Sequence, residues 1–128
     1  MKKIFFLGIF SIFSIATAFT QTNTMKGKIL RHVVLFSFKE NTSEAEIKVV
    51  ADAFAALPDK IPQIKKFEWG INNSPENLNQ GFTHCFLLGF KSEADRAIYL
   101  PHPDHVAFGN ILKPVLDKVL VVDYWALE

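Results

Sequence analysis

Three stretches of this sequence read as β-strands that are apolar on both faces, and that property constrains the fold more than any other. In I-L-R-H-V-V-L-F-S-F (29–38), His32, Val34, Phe36 and Phe38 share one face, while Val33 and Leu35 share the other. In F-T-H-C-F-L-L-G-F (82–90), His84, Phe86, Leu88 and Phe90 oppose Cys85 and Leu87. In V-L-V-V-D-Y-W-A-L (119–127), Val119 and Val121 oppose Leu120 and Val122. A strand with one face in water alternates apolar with polar residues. Strands that lack this alternation need cover on both sides.

The rest of the chain supplies helices for only one side. Ser43 with Glu46 makes a capping-box pattern, and Ile47, Val50, Ala51, Phe54 and Leu57 follow at helical spacing; Pro58 comes next, and Pro62 marks a clean stop. K-F-E-W-G-I (66–71) alternates as another strand, with Phe67, Trp69 and Ile71 on one face, and residues 72–81 are loop by composition. Ser92 with Asp95 opens a second helix that runs toward Tyr99, where Pro101 and Pro103 interrupt it. A further helical piece is expected over 104–117, limited by Pro114. The order β-α-β-β-α-β is the split-βαβ arrangement. It predicts an α+β, ferredoxin-like domain in which one antiparallel sheet carries its helices on one face. The other apolar face predicts a homodimer, because a second copy of the same sheet is the simplest cover.

Residues before the first strand have a different character. Met1-Lys2-Lys3 is followed by the apolar run I-F-F-L-G-I-F-S-I-F-S-I (4–15) and by Ala16-Thr17-Ala18. That order is a signal peptide over residues 1–18, so an exported (periplasmic or secreted) protein is expected, with no membrane association after cleavage. The run is short for a membrane span of about 20 residues. Residues 19–28 are polar and aperiodic and read as a flexible tether, leaving 29–128 as one domain with one modest core. Without Lys2 and Lys3, twelve basic side chains stand against thirteen acidic ones, one net negative charge. No basic patch marks a nucleic-acid binder. Cys85 is the single cysteine, so the chain has no internal disulfide. Set between apolar neighbours and without an adjacent base, it reads as buried and inert.

The chemistry-bearing stretch is I-Y-L-P-H-P-D-H (98–105), with a tyrosine and two histidines at a broken helix end. In a split-βαβ sheet the first and third strands are neighbours, so His32 and His84 are each the polar member of an adjacent apolar strand face. With Tyr99 and His105 packed on the same side, four polar groups are expected around one apolar cavity, the usual form of a small-molecule site. His102, beside Pro103, is expected to cap a helix or to make a surface contact. Phe67 and Trp69 read as core or pocket wall, and Phe108 as core or pocket closure.

The segments H-V-V-L-F-S-F-K, F-E-W-G, G-F-T-H, Y-L-P-H-P-D-H-V-A-F and V-V-D-Y, in this order over residues 30–125, resemble the stress-responsive A/B-barrel (Dabb) domain family. The resemblance implies a ferredoxin-like monomer that pairs through its sheet into a dimeric α/β barrel. It also implies a chemistry. One enzymatic member, a plant polyketide cyclase, closes a linear tetraketide thioester by aldol condensation, and its Tyr-x-x-His-Pro-x-His motif resembles Tyr99 to His105 here. By that resemblance Tyr99 and His105 match the catalytic pair, and His32 and His84 match pocket-lining histidines.

The implied roles make chemical sense. Neutral histidine is a base suited to removing a proton next to a carbonyl, and a buried tyrosine hydroxyl can stabilise the resulting oxyanion. His105 is thus expected as general base, and Tyr99 as its orienting partner and oxyanion donor. No cofactor is expected. Three classes stay open: a ligand-binding protein with acid–base cyclase or isomerase activity, a non-enzymatic stress-response oligomer, and a metal- or haem-associated barrel enzyme. No H-x-H or H-E-x-x-H spacing supports the last. For His32 and His84, a structural role with hydrogen bonds to backbone or water stands beside ligand binding.

Overall fold

The computed structural model describes residues 28–127; the expected signal peptide, and the tether apart from Lys28, lie outside the described residues. The elements run β1 (Leu30–Phe38), α1 (Glu44–Ala55), α2 (Leu57–Lys60), β2 (Lys66–Ile71), β3 (His84–Phe90), α3 (Glu93–Tyr99), α4 (Pro103–Leu112) and β4 (Leu116–Trp125). One antiparallel sheet has the order β2-β3-β1-β4, the ferredoxin-like arrangement.

Local chemistry sets the helix boundaries. The Ser43 side chain accepts from the Glu46 N–H while the Glu46 carboxylate accepts from the Ser43 N–H, a complete capping box. The helical region ends at Lys60, just ahead of Pro62, the expected stop. Pro58 sits in the first turn of α2, where a missing N–H costs nothing. Leu100 N–H bonds to Arg96 O at the end of α3, and His102 N–H to Tyr99 O. His102 then caps α4, its Nδ1 accepting from the Asp104 N–H at 3.2 Å. α4 ends before Pro114 rather than at 117. Lys39 N–H bonds to Val115 O at 2.8 Å, ties this turn to the end of β1, and lets β4 begin at Leu116, ahead of the expected start.

The core lies between sheet and helices. Phe36, Phe54, Phe86, Leu88, Phe90 and Tyr99 are almost fully buried there, and Phe54 stacks on Phe86 with centroids 4.3 Å apart. The strand faces follow the expected alternation: His32, Val34 and Phe36 point inward on β1, and His84, Phe86, Leu88 and Phe90 on β3. Trp69 stacks flat on Phe86 but is exposed over 42% of its surface, a wall of the core rather than its interior. The opposite sheet face has no helix on it. Leu120, Val122 and Tyr124 are about half exposed on that face. Cys85 is also exposed there, against the expectation of burial, because its strand position points away from the helices. Burial and the Glu68 charge still raise its thiol pKa, which argues against thiolate chemistry.

Candidate functional site

The polar residues of the helix side meet where β1 and β4 pass beneath α3 and α4. A cavity of about 390 Å³ opens there. Apolar side chains make most of its wall, Val34, Phe36, Phe54, Phe108, Leu112, Val119 and Val121 among them, and His32, Tyr99 and His105 supply its polar end. Phe108 is both buried core and cavity wall.

Tyr99 and His105 come together through the break between α3 and α4. The two rings pack with centroids 4.3 Å apart at 31°. No hydrogen bond joins them, so Tyr99 does not orient His105 as expected. The Leu100 carbonyl does that instead, at 2.8 Å from His105 Nδ1. A carbonyl only accepts, so Nδ1 carries the hydrogen, and in the neutral ring Nε2 holds the lone pair. Tyr99 is fully buried, and its hydroxyl has no hydrogen-bond partner among the described residues. Burial, with the Asp123 charge adding to it, pushes the phenol pKa far up, so the group is a neutral donor.

His32 reaches the same place from β1, 5.7 Å from the Tyr99 ring between centroids. Its Nδ1 lies 2.6 Å from Asp123 Oδ1, and Arg96 Nη1 lies 2.6 Å from Asp123 Oδ2. Two effects oppose each other at this imidazole. Burial lowers its pKa, the Asp123 carboxylate pulls it up, and burial wins, with smaller contributions from His105 and Arg96 in the same direction. Sequence reasoning missed Asp123 and Arg96. Asp123 faces His32 in the β1–β4 register, and only that pairing reveals it.

His84, expected beside His32, is not among the residues that line this cavity. It pairs in register with Phe36, four positions along β1 from His32, which sets it about 13 Å down the sheet. There it stacks with Trp69, meets Phe38 edge-on at 5.2 Å, bonds Thr83 Oγ1 at 2.9 Å, and borders a separate recess of about 250 Å³. Burial lowers its pKa as well. Because both pKa values are lowered in the fold, His32 and His84 take up protons more readily in the unfolded chain, near the ordinary value of 6.5. Their contribution is complete above that pH and is lost as the pH falls below it. The urea midpoint is therefore expected to drop between about pH 7.5 and about pH 5.5, and to drop less in His84→Gln. An equal drop in the variant would assign the acid sensitivity elsewhere.

Among the described residues, no three of His, Cys, Asp and Glu cluster as a metal-binding set. A ferredoxin-like sheet with a His/Tyr-ended cavity beneath its helices thus defines the class of protein. Within that class, the chain belongs to the stress-responsive A/B barrel domain (Dabb) family, which matches residues 30–126. It is 44% identical over 99 residues to the stress-response A/B barrel domain-containing protein HS1 of Arabidopsis thaliana, across 77% of this chain and 90% of the relative. Similarity to the olivetolic acid cyclase of Cannabis sativa is 30% identity over 95 residues, across 74% of this chain and 94% of the enzyme. Among solved structures, the hydroxynitrile lyase of Passiflora edulis superposes with a TM-score of 0.73 at 28% identity, covering 79% of this chain and 95% of the enzyme. A dimeric ferredoxin-like protein of unknown function from Bacteroides fragilis gives a TM-score of 0.64 at 32% identity, covering 77% and 96%.

Proposed function

We propose that this protein is an exported homodimer that binds a small hydrophobic, carbonyl-bearing molecule and performs cofactor-free acid–base chemistry beside the carbonyl, as a cyclase, isomerase or lyase does. The observation that carries the reading is the Tyr99 hydroxyl, buried and unpartnered against a His105 ring whose Nδ1 is already committed to Leu100. A buried donor without a partner costs about 1–3 kcal/mol, and a ligand oxygen would relieve it. In the step proposed, a C–H bond next to the carbonyl breaks and its proton goes to His105 Nε2. The electron pair moves onto the carbonyl oxygen, which Tyr99 holds by a hydrogen bond. His32 contacts the ligand, and His84 takes no part. Two similar proteins, a cyclase and a lyase, support an enzymatic reading over a purely structural oligomer.

The test is deuterium exchange. Incubated in D₂O with a medium-chain methyl ketone such as 2-nonanone, the protein should speed label uptake next to the carbonyl, read by NMR. A rate equal to that of buffer sinks the reading.

The dimer rests on the half-exposed apolar residues of the outer sheet face and on the dimeric Bacteroides neighbour. Protein recovered from the extracytoplasmic fraction should begin after Ala18 and sediment as a dimer, and Val122→Asp should sediment as a monomer. An intact Met1, or a monomeric wild type, removes the corresponding half of the proposal.

A further inference from the structure

Lys113 also lines the cavity, and the proton chemistry makes no use of it. It stands at the C-terminal cap of α4, with its backbone N–H bonded to the Gly109 carbonyl. Among the described residues no carboxylate pairs with its ammonium. Lys39 also reaches this end of α4, but its Nζ donates to the Pro114 carbonyl at 2.9 Å and it does not border the cavity. His105, Gly109 and Lys113 are spaced four residues apart, so they form one ridge on the helix, and all three border the cavity. Gly109 breaks that ridge. A Cβ there would meet nothing within 4 Å outside its own stretch of helix, so no packing contact explains glycine where alanine makes the more stable helix. The missing side chain leaves an open strip from the histidine to the lysine.

The strip leads away from the polar end. α4 runs in the same direction as β1: His105 packs on Tyr99 beside His32, Phe108 faces Phe36 with centroids 6.2 Å apart, and Val115 is tied to Lys39. Eight helical positions from His105 to Lys113 rise about 12 Å. On the opposite wall the β1–β4 register runs from His32 and Asp123, through Val34 and Val121, to Phe36 and Val119, four positions or about 13 Å. Helix and sheet thus give the same length, with an apolar wall between two polar ends. We propose that Lys113 is a second binding point, which anchors the carboxylate of a medium-chain oxo acid whose carbonyl lies about 12 Å away at Tyr99 and His105. The inference rests on the acid–base reading of the polar end and supplies the chemistry of the other end. Nine carbon–carbon bonds in an extended chain span about 11 Å, the length of 10-oxoundecanoate from ketone to carboxylate. A lysine at a helix C-terminus also suits the helix dipole. That role alone is indifferent to the charge of a ligand.

The probes are 10-oxoundecanoate and 2-undecanone, which share chain length and methyl ketone and differ in the carboxylate. Both are titrated by calorimetry at low salt into the full-length mature protein. Lys113→Gln should weaken the oxo acid about fivefold, the size of a partly exposed ion pair, and Lys113→Glu should weaken it further. The uncharged ketone should bind all three proteins alike. Gly109→Leu fills the strip and should weaken both probes about tenfold or more. Lys48→Gln, on the exposed face of α1, controls for net charge and should leave the oxo acid unchanged. An oxo acid that ignores Lys113→Gln overturns the anchor. So does an equal loss for the ketone, which makes Lys113 a packing residue, or an equal loss in Lys48→Gln, which makes the effect bulk charge. Failure of both probes to bind the wild type, or full affinity in Gly109→Leu, overturns the path along α4. Calorimetry reads binding alone. Missing 2-nonanone exchange with the Lys113 effect intact removes the chemistry and keeps the anchor, and the reverse result removes only the anchor.

Discussion

Alanine in place of His105 is expected to cut ketone deuterium exchange by at least about 100-fold, the lower end of what a positioned acid–base group contributes. The substitution removes a side chain that lines the cavity at Tyr99 and keeps Nε2 free by tying Nδ1 to a backbone carbonyl. Tyr99→Phe keeps the ring that packs on His105 and His32 but deletes the hydroxyl, so about a 100-fold loss is expected from the missing oxyanion donor alone. The two variants should differ in stability. Losing an unpartnered buried hydroxyl relieves a desolvation cost, so Tyr99→Phe should be at least as stable as the wild type. Active His105→Ala protein, or a destabilised Tyr99→Phe, would contradict this account of the site.

The second large effect is on stability. Phe86→Ala should lower the unfolding free energy by about 3–5 kcal/mol, a large share of the total for a domain of this size. Phe86 is fully buried at the centre of β3. It stacks on Phe54 at 4.3 Å and on Trp69 at 5.4 Å, and also touches Phe36 at 5.4 Å. The ring therefore joins α1, β1 and β2, and the void left by alanine cannot close without moving all three. Leu127→Ala, at a position 86% exposed, should change stability by less than about 0.5 kcal/mol. Urea unfolding of both variants measures the contrast, and similar losses would show that the aromatic cluster is not the centre of the fold.

The order of strands and helices was legible because period and capping are local properties. The Ser43 and Ser92 caps, the β2 boundaries and the inward faces of β1 and β3 follow from residues within a few positions of one another. The end of α4 and the start of β4 are not local properties, because a long-range bond, Lys39 N–H to Val115 O, fixes that turn. The site was legible to the same depth. Tyr99 and His105 are close in sequence, and their meeting follows from the proline-broken helix between them. His84 and His32 looked equivalent as polar interruptions of apolar strands, but antiparallel register sends them to opposite ends of the sheet. Asp123 carries no local signal of a role in the stretch V-V-D-Y. Its partnership with His32 and Arg96 exists only once β4 lies along β1.

That pairing of β1 with β4 also carries a kinetic consequence. β1 has β3 as its neighbour on one edge, but its neighbour on the other edge is the last strand to leave the ribosome, and 91 positions separate His32 from the carboxylate that orients it. Contacts so distant in sequence close late and slowly. Until β4 docks, His32 has no Asp123 and the cavity has no wall at Val119 and Val121. An incomplete or partly folded chain therefore has no assembled cavity, and Tyr99, His105 and His32 gain their complete surroundings only with the final step of folding.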